Sequence, residues 1–98
     1  MPIWSFITNH GAILATIARH QALTAREIAI RLGITEGSVR RIIGDLEAGG
    51  YLKRMKNGRN NEYEVNHELP LPWPEDRAVP VGELLRVLNS SEEESPLD

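Results

Sequence analysis

The chain has no cysteine. Disulfides, thiolate metal sites and thiol-based redox sensing are thereby excluded from it. No stretch approaches the ~20 consecutive apolar residues that a membrane-spanning helix needs, so no membrane association is expected. The first residues lack the basic-then-apolar pattern of a secretion signal, and a cytoplasmic location is the expectation. Internal repeats are missing too. There is no G-x-S-x-G, no H-E-x-x-H and no phosphate-cradling glycine loop, so neither an enzyme nor a bound cofactor is expected. The 98 residues suit a single domain with one core.

A net charge of -3 argues at first against nucleic acid. Location reverses that. Residues 1–61 hold nine Lys/Arg (Arg19, Arg26, Arg31, Arg40, Arg41, Lys53, Arg54, Lys56, Arg59) against Glu27, Glu36, Asp45 and Glu47, a net of +5. Residues 62–98 hold only Arg77 and Arg86 against ten acids, a net of -8. A polyanion responds to the field within about a Debye length, ~8–10 Å at ordinary salt. The first half is the one suited to meet it.

That half has a recognisable order of parts. Thr24 and Glu27 form a T-x-x-E capping box that opens a helix, and Ile28, Ala29 and Leu32 give it an apolar stripe. Gly33 stops it, and Thr35 offers a hydroxyl to cap the next helix. Val39, Ile42, Ile43 and Leu46 fall at i, i+3, i+4 and i+7, one buried face of that second helix. Gly49-Gly50 ends it. Ala29 is small where the helices cross, and Val39 fills the wedge between them. The economical reading is a helix-turn-helix.

The period then changes. Tyr63 and Val65 alternate with Glu62, Glu64 and Asn66, the mark of a half-buried strand. Asn57-Gly58 is a strong two-residue hairpin signal, because both residues tolerate positive φ. Such a hairpin, alone, would read as a solvated surface loop. Placed directly after a helix-turn-helix and carrying Lys56 and Arg59, it reads as a wing.

Upstream, Trp4, Phe6, Ile7, Ile13, Leu14 and Ile17 mark a first helix with an aromatic lead-in, capped by Thr8 or Asn9. Downstream, the prolines of residues 69–74 forbid a helix interior and predict an extended surface stretch anchored by Trp73. Val81, Leu84, Leu85 and Leu88 predict a short helix over residues 81–88. It is too short to stand alone, so it must cover either the chain's own first helix or a partner subunit. The expected class is mainly α with a small β-hairpin. Residues 1–68 form the winged helix-turn-helix, a three-helix core plus wing; residues 69–88 form the extension and short helix, and residues 89–98 a disordered acidic tail.

Several segments carry a resemblance. They are Trp4-Ser5-Phe6-Ile7-Thr8-Asn9-His10, Gly33-Ile34-Thr35-Glu36, Asp45-Leu46-Glu47, Gly58-Arg59-Asn60-Asn61 and Val81-Gly82-Glu83-Leu84-Leu85. Together they resemble a group of small bacterial winged-helix regulators labelled MarR-like or ArsR-like, over residues 4–88. One departure stands at Gly37, where such proteins often carry a longer polar side chain. The resemblance implies a winged-helix fold and DNA binding, and no known inducer. It also favours a homodimer built from elements outside the helix-turn-helix, here Trp4, Phe6, Ile7, Leu84, Leu85 and Leu88.

The second helix turns Gly37, Arg41, Gly44 and Ala48 outward at 100° per residue, flanked by Arg40, Ser38 and Asp45. Arg40 and Arg41 have the chemistry to hold phosphates or guanine O6 and N7, although a solvated arginine pair shows the same pattern. Gly44 costs roughly 1 kcal/mol mid-helix, which close approach to DNA or neutral drift explains equally. Thr35 and Ser38 stand near the helix N-terminus, where a phosphate is favoured, though capping alone accounts for Thr35. The expected DNA-contacting set is Thr35, Glu36, Gly37, Ser38, Arg40, Arg41 and Gly44 from the helix, with Arg54, Lys56, Asn57, Arg59 and Asn60 from the wing. No two of His10, His20 and His67 have helical i, i+4 spacing, so no metal is expected. The expected function is sequence-specific recognition of double-stranded DNA in transcriptional regulation. A protein-interaction module or an RNA-binding domain is the alternative, and a small-molecule effector is left open.

Overall fold

A computed structural model describes residues 5–57, 60–72 and 79–94. Three helices come first: α1 (Asn9–Arg19), α2 (Ala25–Leu32) and α3 (Glu36–Ala48). A two-stranded hairpin, β1 (Leu52–Asn57) and β2 (Asn60–Val65), follows, and α4 (Val81–Glu94) closes the order. Each helix start is written in a side chain. The Thr8 hydroxyl accepts from Gly11 N–H, and Thr35 accepts from Ser38 N–H. Thr24 and Glu27 form the full reciprocal box, at 3.1 Å and 2.9 Å. Gly33 ends α2 in the left-handed region (φ 72°), a conformation that would clash with a Cβ.

The helices surround one core. Ile13 and Ile17 of α1, Ile28 of α2 and Val39 and Ile42 of α3 are almost fully buried. The base of the hairpin adds Leu52, Tyr63 and Val65, and α4 adds Val81 and Leu85. The strands pair antiparallel from Leu52 with Val65 to Asn57 with Asn60. This corrects the expected turn. Leu52 and Val65 meet in the core, and that pairing carries the ladder out to Asn57 opposite Asn60. The connection is therefore residues 58 and 59, one position later than Asn57-Gly58, and it lies outside the described residues.

Of the stretch expected to run extended, Pro70 pairs with Pro80 in an isolated antiparallel bridge. Leu71 N–H donates to the Val79 carbonyl and Val81 N–H to that of Leu69. The Tyr51 hydroxyl donates to the Pro70 carbonyl at 2.6 Å. Trp73, the expected anchor, lies outside the described residues. The first turn of α4 then sits on residue 67, so closely that a Cβ on Gly82 would come within 2.8 Å of His67 Cβ.

The last helix differs from expectation in two ways. It continues past Leu88 to Glu94, where disorder was expected from residue 89 onward. Asn89 donates its amide to the Ala15 carbonyl at 3.3 Å, tying the helix back to α1, and no proline interrupts the chain before Pro96. Residues 95–98 lie outside the described ones. Leu85, expected at a subunit contact, is only 2% exposed in the single chain. Its side chain belongs to the chain's own core, because α4 packs on α1. No helix among the described residues is long and apolar enough to cross a membrane.

Candidate nucleic-acid interface

The outward side of α3 is smooth and polar. Gly37, Arg40, Arg41, Gly44, Asp45 and Ala48 are exposed, as is the cap Thr35, while Glu36 and Ser38 are half-buried. Nothing lies within 4 Å of where a Cβ would stand on Gly37 or Gly44, so packing in the free protein requires neither glycine. The two arginines differ. Arg40 is bound back along its own helix to Glu36, Nη2 to Oε2 at 2.6 Å and Nε at 3.1 Å. Arg41, one residue on, has no side-chain partner among the described residues. Thr35 donates its hydroxyl to Ser38 Oγ at 3.0 Å, so both hydroxyls are engaged in the cap.

The other acids of α3 are also held. His10 Nε2 of α1 lies 2.8 Å from Asp45 Oδ2. Glu47 receives a two-pronged bond from Arg54 of β1, Nε to Oε2 at 3.0 Å and Nη2 to Oε1 at 3.1 Å. The bond to Glu47, with a smaller effect of Tyr63, raises the Arg54 pKa above its ordinary value. It stays a cation at any workable pH. Sequence spacing gave no sign of His10 or Glu47, since each reaches its partner through tertiary packing rather than helical periodicity.

On the hairpin, Arg54 and Lys56 alternate with Leu52 onto the face that carries Tyr63 and Val65. Lys53, Met55, Glu62 and Glu64 take the other face. Lys56 is exposed. Of the expected wing set, Arg59 lies outside the described residues, as do the side chains of Asn57 and Asn60. Two basic residues missing from the expected set, Arg26 and Arg31, are exposed on α2, without side-chain partners among the described residues. Of the three histidines only His10 stands apart. His20 and His67 line a cavity of about 660 Å³ with Arg19 and Arg86, away from His10. Among the described residues no three His, Cys, Asp or Glu side chains are grouped to hold a metal ion.

A model of the MarR family matches residues 6–60, from the α1 lead-in to the start of β2. The chain belongs to the MarR family. An uncharacterized protein of Methanocaldococcus jannaschii is 33% identical over 67 residues. The match takes in 67% of this chain but only 14% of that protein. MepR, a transcription regulator of the Staphylococcus aureus multidrug efflux pump MepA, superposes with a TM-score of 0.59 at 21% identity, over 92% of this chain and 63% of MepR. The Zn(II)-bound, zinc-dependent MarR-family regulator AdcR superposes with a TM-score of 0.54 at 20% identity, over 98% of this chain and 67% of AdcR. At these identities the two structures establish the shared winged-helix fold. The chain spans about a seventh of the archaeal protein and under two thirds of MepR.

Proposed function

We propose that this MarR-family chain regulates transcription by sequence-specific binding to double-stranded DNA. Helix α3 enters the major groove, and the hairpin rests on the adjacent backbone or minor groove. The observation that carries the reading is the exposed α3 face, where Arg41, without a side-chain partner among the described residues, stands between Gly37 and Gly44. Arg41 is the base-reading residue of the pair, because Arg40 must first leave Glu36. Lys56, together with Arg59, supplies phosphate contacts. Arg26 and Arg31 extend the basic surface along α2, the element that crosses the backbone in helix-turn-helix proteins.

The binding unit in this proposal is a cytoplasmic homodimer. Phe6 is 90% exposed and Val87 61% exposed, with Leu84 and Leu88 half-buried beside them on α4. Trp4, also expected at that contact, lies outside the described residues. Two-fold symmetry then places half-sites one helical turn, ~10 base pairs, apart. No effector and no catalytic role are assigned.

A mobility-shift experiment on mixed genomic fragments tests the reading. Retention of a reproducible subset of duplex fragments above the bulk supports it. Binding to RNA alone, or to neither nucleic acid, contradicts it and favours an RNA-binding or protein-interaction role for the same fold.

A further inference from the structure

One side chain joins three elements. Arg54 leaves β1, forks onto Glu47 in the last turn of α3, and places its Cζ 5.9 Å from the ring centroid of Tyr63 on β2. Tyr63 is its partner across the ladder and is itself buried. A planar guanidinium suits this position, since it can donate two parallel bonds to a carboxylate while lying near an aromatic face. A lysine has neither geometry. Beyond this point Met55 and Lys56 are exposed. Arg54 ties the hairpin to the end of α3.

We propose that Arg54 and Glu47 form a positioning clamp that sets the angle between wing and recognition helix, and that Arg54 is not itself a DNA contact. The inference rests on the DNA-binding reading above. A wing held in advance in its bound direction loses less freedom on binding, which raises affinity without any new contact. The clamp also accounts for an acid beside a surface meant for a polyanion. Glu47 holds the cation that orients the wing.

The two roles for Arg54 differ in sign at Glu47. If Arg54 gripped a phosphate, Glu47→Gln would remove a repulsive charge and tighten binding to every duplex. Arg54→Lys would keep most of the affinity. With a clamp, Glu47→Gln and Arg54→Lys both weaken binding, by about two- to fivefold for a partly exposed bidentate pair. The experiment uses the full chain, a mixed-sequence duplex at low salt, and amide hydrogen exchange on the free protein. We expect both variants to lose affinity and to exchange faster at Met55, Lys56 and Glu62. Tighter binding by Glu47→Gln, or hairpin exchange unchanged from the parent in either variant, overturns the clamp. Absence of duplex binding by the parent overturns the DNA reading instead, and the exchange measurement still decides the clamp.

Discussion

His10 Nε2 lies 2.8 Å from Asp45 Oδ2 and joins the first turn of α1 to the flank of α3 across 35 positions of sequence. Both side chains are about half exposed, 45% and 53%, so the pair contributes little to stability, under ~1 kcal/mol. On the proposed DNA-binding reading its effect on duplex affinity should exceed its effect on folding, because it engages a carboxylate one helical turn from Arg41. His10→Ala should leave the denaturation midpoint nearly unchanged and weaken duplex binding at low salt. Asp45→Asn should restore or exceed the parent, alone or combined with His10→Ala. Binding isotherms for the three variants check this, and parental affinity in His10→Ala contradicts it.

Gly33 and Gly44 should respond oppositely to alanine. Gly33 sits at φ 72°, so Gly33→Ala should cost ~1–2 kcal/mol of stability. Gly44 has open space around it, and Gly44→Ala should gain roughly 1 kcal/mol from helix propensity. If the α3 backbone lies close against the groove, the same Gly44→Ala variant binds operator less tightly while folding better. Urea titrations of both proteins give the signs.

On α4, Leu85 and Val87 separate core from surface. Leu85→Ala should cost ~2–5 kcal/mol, since its side chain is 2% exposed. Val87→Ala, at 61% exposure, should stay within ~0.5 kcal/mol of the parent in a dilute monomer. Equal losses in the two would show that α4 does not pack on α1 as described.

Local chemistry made most of the fold legible from the residues alone. The Thr24–Glu27 box, the Thr35 cap and the left-handed Gly33 bracket α2 and α3 without help from tertiary contacts. The apolar faces of those helices follow from periodicity, and so does the exposure of Arg41 and Gly44. What escaped depends on long-range packing. α4 is tied to α1 where Asn89 reaches the Ala15 carbonyl, 74 positions away in sequence, a contact that no local pattern announces. The hairpin turn moved by one residue because the core pairs Leu52 with Val65, whereas Asn57-Gly58 is only a local preference. Arg54 read as a wing cation, and only the approach of β1 to the end of α3 brings it to Glu47.

Phe6 tests the proposed dimer. Phe6→Ser should leave the fold intact, because the side chain is 90% exposed in the single chain. It should shift light-scattering mass at high micromolar concentration from twice the chain mass toward one. A parent that already scatters as one chain at that concentration contradicts the dimer.

Salt-dependent isotherms for Arg41→Ala and Lys56→Ala, on operator and scrambled duplexes, test the central claim most directly. A lost phosphate contact flattens the slope of log K against log salt by ~0.9 per contact, and the loss is independent of sequence. A lost base contact costs ~1–3 kcal/mol on operator only. We predict that Lys56→Ala, and Arg59→Ala with it, weakens both duplexes and flattens the slope, whereas Arg41→Ala narrows the gap between operator and scrambled DNA. If all these variants bind both duplexes like the parent, the basic face is merely solvated and the DNA-recognition account is wrong.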